Sequence, residues 1–345
     1  MKRALLLVVC CLALAPACAE KSNAPAASVN GVTVTTKDVV DELDAIRANP
    51  DYLENIDGQF KQQGSAVVGS AAGSYDAGFV GQVLMRQLQF ALAHDEVERR
   101  QLEVTDDCKE AAKNDLIQSL GGGDEQKGQE QLAGFSADYR NKIEGWYTDQ
   151  FVLQSDLVHQ PCGGEAAGKA YFDAHPEEFV QLCVSVISLA DENTANAVAE
   201  QARAGGDFAS LAQQFSTDTK SGSMGGDAGC LYPSEISSVF APTLQATATG
   251  AVTDPVTNNN GFLVFKVTDR KPAAYSDVSS QAEQLALRDQ SVEFGSWLRH
   301  AFEDGQVTVD PRYGTFDPST YKITPPAVDS ESSSSGSEAP PTSSP

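Results

Sequence analysis

The chain has 345 residues, with 24 basic and 48 acidic side chains and a formal charge of −24. That length suits two domains with flexible ends better than a single core. A surface this acidic repels a polyanion, so nucleic acid is excluded as a partner, and the acidity itself reads as solvation against self-association.

Lys2 and Arg3 precede an apolar run from Ala4 to Leu14, followed by small residues at Ala15, Ala17 and Ala19. This is the pattern of an export signal over residues 1–18, too short to remain as a bilayer span. Ala15-Pro16-Ala17-Cys18 resembles a bacterial lipobox, with Ala15 where that motif usually has Leu. The resemblance implies lipidation of Cys18 and a membrane anchor on the outer face of the cell membrane; plain cleavage to a secreted or periplasmic soluble protein is the alternative. Removing the signal leaves Cys108, Cys162, Cys183 and Cys230, an even number in an oxidising compartment. Of the three possible pairings, one bridge per module is expected, Cys108–Cys162 and Cys183–Cys230. No Cys-x-x-Cys or His cluster accompanies them, so neither a metal site nor a cofactor is expected.

In chain order, residues 19–28 are small and polar and read as a tether. Val29 to Thr35 reads as a strand with an Asn30-Gly31 turn, and Thr36 as the cap of a helix bearing Val39, Val40, Leu43 and Ile46. Gly58 to Asp76, rich in Gly and Ser, reads as a loop. Phe79, Val80, Val83, Leu84, Leu88 and Leu92 fall at helical spacing and predict a long helix to about Arg100. Thr105-Asp106 opens a further helix with Leu116, Ile117 and Leu120, closed by Gly121 to Gly123, and another carries Ile143, Trp146, Tyr147, Phe151 and Leu157. Such stripes are the signature of core packing; a peptide groove would use the same residue types. Residues 29–165 are therefore an N-terminal helical domain.

Residues 166–178 read as a linker helix leading into a strand, Leu182 to Leu189. Helices over Asp191 to Ala204 and Phe208 to Phe215 and a closing strand from Gly261 to Val267 make 179–272 a compact α+β unit. Over residues 273–324, a helix with Leu285, Val292, Phe294, Trp297 and Phe302 is followed by strand-like Gln306 to Val309 and Asp310 to Gly314. This returning segment is expected to complete the helical domain by pairing with Val32 to Thr35, so that the α+β unit is an insertion. Residues 325–345, rich in Ser, Pro and Glu, read as a disordered tail.

Within the insertion, Phe208-Ala209-Ser210-Leu211-Ala212-Gln213-Gln214-Phe215-Ser216-Thr217-Asp218, Gly225-Gly226-Asp227-Ala228-Gly229 and Gly261-Phe262-Leu263-Val264-Phe265 occur in an order and spacing that resembles the parvulin (PpiC-type) peptidyl-prolyl isomerases. The exported helical frame around it is similar to that of SurA- and PrsA-type foldases. The resemblance implies an α+β fold, a helical chaperone-like domain with an inserted parvulin domain, and prolyl isomerase and chaperone activity toward unfolded or proline-containing secreted polypeptides. A non-catalytic holdase that retains the fold as a binding module is the alternative.

Position by position, the resemblance puts Asp218 beside the twisting bond. Ile236 and Phe240 fall at the floor of a proline pocket and Leu231 at an aromatic position of its wall. The two histidines usual in parvulins are replaced by Val186 and Leu263, and His94, His159, His175 and His300 all lie outside the segment. A Cys183–Cys230 bridge would pin the pocket wall to the sheet, a catalytic thiol at Cys230 being the other reading. The stretch Ala190-Asp191-Glu192-Asn193, where phosphate-preferring relatives are basic, would repel a phosphate.

Overall fold

The computed structural model describes residues 23–326. The expected export signal, Cys18, the start of the expected tether and the residues from 327 on lie outside the described residues. Among the described residues no helix is long and apolar enough to cross a membrane.

Strands β1 (Pro25–Val29) and β2 (Val32–Thr35) form an antiparallel hairpin. Its turn residues Asn30 and Gly31 both sit at positive φ, 52° and 90°, as a two-residue hairpin turn requires. The segment expected as tether is thus already paired from Pro25. Helix α1 (Thr36–Arg47) is capped by Thr35 and not by Thr36: the Thr35 hydroxyl accepts from Asp38 N–H, while the Asp38 carboxylate accepts from Thr35 N–H. This reciprocal box satisfies two otherwise orphaned donors.

Helix α2 (Pro50–Gln62) begins with Pro at its first turn and Asn49 as cap, and it occupies the start of the stretch expected as loop. Helix α3 (Ala77–Arg100) follows, capped by Asp76, whose Oδ1 accepts from Gly78 N–H at 2.8 Å. Then come α4 (Asp106–Gly121), α5 (Glu125–Ala133) and α6 (Ala137–Val158). Thr105 caps α4, and Gly122 ends it in the left-handed conformation.

The chain divides into two compact units: residues up to Leu153 together with Phe294 onward, and Gln154–Glu293. The second unit is wider than the α+β segment expected over 179–272. It includes α7 (Gly164–Ala174) and a 3-10 turn at Pro176–Phe179, then β3 (Val180–Leu189), α8 (Glu192–Arg203), α9 (Phe208–Phe215) and α10 (Thr219–Ser223). It continues with β4 (Asp227–Leu231), α11 (Ala241–Ala246), β5 (Val256–Asn258), β6 (Gly261–Pro272) and most of α12 (Tyr275–Glu303). Its sheet runs β4-β3-β6-β5, antiparallel throughout, with β3 and β6 paired along their whole lengths. A separate cluster of Tyr171, Phe179, Val278, Ala282 and Leu285 joins α7 to α12 within this unit.

The first unit is completed by the end of α12, β7 (Val307–Val309) and a hairpin of β8 (Thr315–Asp317) and β9 (Lys322–Thr324). The returning strand β7 pairs with β1, through Ala27–Val309 and Val29–Val307, and not with Val32 to Thr35 as expected. Val32–Thr35 is instead the outer strand of a β2-β1-β7 sheet. Strand β1 already bonds β2 along one edge, and its other edge takes β7 as the third strand. Asp310 to Gly314 forms a turn and not a strand. One core gathers Ala27, Val29, Val39, Ile46, Leu84, Leu88, Phe302 and Ile323 from both ends of the chain; a second, under α4, α5 and α6, holds Leu116, Leu120, Leu132, Phe135 and Ile143.

Beside these cores Glu42, 1 % exposed, is hydrogen-bonded by Arg86 and Gln87. The Arg86 side chain is 40 % exposed over its length, and desolvation of its guanidinium opposes the charge, but the Glu42 carboxylate and the oxygens of Tyr52 and Tyr139 more than reverse this, so the guanidinium titrates above its ordinary range.

Candidate active site

The alternation of β3 and β6 gives the sheet two different faces. Ile187 and Leu189 pack with Phe262 and Val264 beneath α8 and α9, against Ala195, Val198, Phe208 and Leu211. Leu182, Val184 and Val186 turn the other way, together with Leu263, Phe265 and Val267. On this second face Ile236 and Phe240, from the segment after β4, and Leu244 of α11 close over the strands. The Phe240 ring is 5.5 Å from that of Phe265, tilted by 50°. Phe265 and Leu244 are buried, whereas Val186, Ile236, Phe240 and Leu263 are only half-buried and form the solvent-facing rim of the cluster.

Four of the six side chains expected at the proline pocket are therefore brought together: Val186, Ile236, Phe240 and Leu263. Leu231 is not among them. It stands opposite Leu182 on the edge strand β4, on the same face but outside the packed cluster. Asp218 is also outside it. Its exposed carboxylate caps α10, accepting from Ser221 Oγ at 2.6 Å and from Lys220 N–H at 3.0 Å. These bonds, Ser221's above all, hold the carboxyl below the usual aspartate range, so it is an anion at neutral pH with both oxygens engaged.

The backbone still ties the Asp218 segment to the sheet. Thr217 N–H donates to Ser188 O at 2.8 Å, Ser188 N–H donates to Ser216 Oγ at 3.2 Å, and Ser188 is the residue opposite Leu263. One residue pair along β3, Val186 N–H donates to Gly226 O at 2.7 Å. Gly226 has φ 82°, and a Cβ there would lie 2.7 Å from Val186 O, so glycine is needed both for the turn and for its approach to β3. The motif residues 216–226 are in this way stitched to the strand that carries Val186.

Cys183 and Cys230 face each other across β3 and β4 and are disulfide-bonded. The bridge fixes the edge strand leading from the Gly225-Gly226 turn to Ile236 and Phe240. Cys108 and Cys162 are both buried and in the disulfide state, Cys162 lying in the second unit. Sequence reasoning missed several contributors, Leu244 and Val184 among them. Phe265 and Val267 were legible in the every-second-residue pattern of β6. Arg270 was not: its guanidinium donates to the carbonyls of Leu244, Gln245 and Thr247 at 3.0, 2.8 and 2.6 Å, holding the C-terminal end of α11 over the sheet.

The chemistry of such a face is that of an apolar bed built from aliphatic and aromatic side chains. Residues 189–269 match the rotamase family model described as the PPIC-type PPIASE domain. The insertion is thus a parvulin-type rotamase domain. Over 151 residues the chain is 28 % identical to the foldase protein PrsA of Halalkalibacterium halodurans, covering 43 % of this chain and 45 % of that protein. Over 185 residues it is 29 % identical to the chaperone SurA of Hahella chejuensis, covering 52 % of this chain and 43 % of the relative. The crystal structure of peptidylprolyl isomerase PrsA from Bacillus cereus aligns with a TM-score of 0.42 at 18 % identity, over 81 % of this chain and 92 % of that one. The chain spans a little under half the length of these two curated relatives. The chain is thus similar to foldases and chaperones of the PrsA and SurA kind.

Proposed function

We propose that the protein is an exported peptidyl-prolyl isomerase and folding factor, in which the half-buried face formed by Val186, Ile236, Phe240 and Leu263 accepts the proline ring of an unfolded secreted polypeptide. The single observation that carries this reading is the convergence of these four side chains on one sheet face, three of them, Ile236, Phe240 and Leu263, inside the rotamase match and Val186 just before it.

Rotation about an X–Pro bond breaks no covalent bond; it must cross a barrier of about 18–20 kcal/mol that comes from amide conjugation. A planar amide is polar and well hydrated, and a twisted one has lost its charge separation. An apolar bed that strips water from the amide therefore raises the ground state more than the twisted state. This contribution needs no imidazole. Asp218, anionic and pinned as a cap, acts as a fixed negative margin, and Arg270 and the Cys183–Cys230 bridge act as positioning groups that keep α11 and β4 in place.

The sequence from Lys2 to Cys18 supports export and, through Cys18, a lipid anchor on the outer face of the cell membrane. The holdase reading is favoured by one observation: no imidazole stands at Val186 or Leu263. The two readings part in the refolding of a model protein whose slow phase is proline isomerisation. The isomerase shortens that phase, and Phe240→Ala abolishes the effect; a holdase suppresses aggregation and leaves the slow phase unchanged.

A further inference from the structure

A cavity lies in the first unit, with a volume of about 370 Å³, between β2, the start of α1, α3 and α6. Its walls carry two carboxylates, Asp38 and Asp149, with Gln87, the edge of Trp146 and the aliphatic Val34 and Ala91. Gln87 is 3 % exposed. Its Nε2 is committed to Asp38 O and Glu42, while its Oε1 is buried with no hydrogen-bond partner among the described residues. A buried acceptor of this kind is costly unless a donor arrives.

The cavity already holds a cationic head in the right manner. Lys142 Nζ lies 4.8 Å over the Trp146 ring and 3.5 Å from Asp38 Oδ1, and Phe90 stacks on the same indole at 5.3 Å. Asp149 holds His94 Nδ1 at 2.8 Å across the same opening. The lining thus pairs aliphatic and aromatic surface with acceptors, which suits a side chain with a long apolar stem and a donor-only head.

β2 forms one margin of this cavity through Thr33 and Val34, and it is an outer strand of its sheet. The two-residue turn makes Val29 and Val32 a hydrogen-bonded pair, so by ladder alternation Thr33 directs its N–H and C=O to the outer edge. An extended chain can add there by main-chain pairing.

We propose that this cavity binds a lysine or arginine side chain of an extended client polypeptide whose backbone pairs with the outer edge of β2 at Thr33. The formal charge of −24 favours encounter with such basic segments. The inference rests on the polypeptide-handling part of the functional reading but not on isomerase activity, because every lining residue belongs to the first unit.

The test is fluorescence anisotropy with labelled nine-residue peptides that alternate Thr and Val around a central Lys, Met or Glu, titrated with the mature full chain. The Lys peptide is expected to bind about tenfold or more tighter than the other two, the scale of one charged hydrogen bond. Asp149→Asn should erase that preference. Glu54→Gln, the same charge change at an exposed site outside the cavity, should leave it intact. Gly145→Leu should block all three peptides without disturbing the fold, since a Cβ at Gly145 meets no atom within 4 Å. Equal binding of the three peptides, no binding of the Lys peptide, equal losses in Asp149→Asn and Glu54→Gln, or undiminished binding by Gly145→Leu would each overturn the proposal. Proline-isomerase measurements on the same preparations report separately on the second unit.

Discussion

Val186 and Leu263 lie diagonally across the β3–β6 ladder on one face of the sheet, Val186 opposite Phe265 and Leu263 opposite Ser188. Both are half-buried in the apolar cluster with Phe240, and the parvulin resemblance sets them against the histidines usual in that family.

Restoring the pair should add what the polar version supplies. Val186→His with Leu263→His is expected to raise kcat/KM for a proline peptide about tenfold, the value of one hydrogen bond made to the twisted amide. An unchanged rate would show that these positions do not limit the reaction.

The pH behaviour follows from the caps. The carboxyls of Asp191, Asp207 and Asp218 are all held below their usual range, chiefly by bonds from Thr194, Ser210 and Ser221 respectively. A carboxyl depressed in the folded state stabilises above its unfolded pKa, and that stabilisation is lost as pH falls through the folded value. The second unit should therefore melt at a constant temperature between pH about 8 and about 5, and at falling temperature below about 4. Calorimetry checks this. With no imidazole in the cluster, the isomerase rate should be flat over the same range; a rate that halves near pH 6.5 would implicate a histidine instead.

The Cys183–Cys230 bridge closes a span of 47 residues. Bridges of this kind typically contribute about 2–4 kcal/mol, and the chain-entropy relation puts a loop of this length at the upper end. Cys183→Ser with Cys230→Ser should lower the stability of the second unit by that amount and weaken peptide turnover, because β4 carries the chain into Ile236 and Phe240. Matched melting and turnover measurements on the double variant would expose a bridge with no such role.

In the first unit the Glu42–Arg86 pair predicts an asymmetry. Arg86→Met leaves a carboxylate that is 1 % exposed without its cation, at a cost of about 3 kcal/mol or more. Glu42→Leu leaves an Arg86 side chain that is 40 % exposed and able to turn to water, so it should cost distinctly less. Both tryptophans, Trp146 and Trp297, lie in this unit, so urea unfolding followed by their fluorescence reports on it directly. Equal losses would contradict the account.

Much of this was legible before any coordinates. Caps followed by apolar stripes mark α3 and α4, and the spacing from Phe208 to Gly229 and on to Gly261 marks the rotamase insertion. Helix α2 also had its signal, Asn49-Pro50 followed by Tyr52, Leu53, Ile56 and Phe60, hidden by the glycines that come after it. Helix α5 had only its cap, Asp124: its Glu125–Ala133 sequence is polar almost all round, and Gly128 lets it lie against Ile117 of α4. β1, made of small residues, and the three-residue strands β8 and β9 are set by long-range pairing that no local pattern announces. At the site, burial of Val186 and Leu263 on one face followed from strand alternation. The commitment of Asp218 to a cap and the place of Arg270 beneath α11 depended on tertiary geometry.

The most direct measurement is two-dimensional exchange spectroscopy on an Ala-Pro peptide in the presence of the chain expressed without residues 1–18. Catalysed cis–trans exchange above the uncatalysed rate, lost in Phe240→Ala while the variant keeps its melting profile, is the predicted result. Exchange that never rises above background in the folded wild-type protein would contradict the claim that this apolar face turns prolyl bonds.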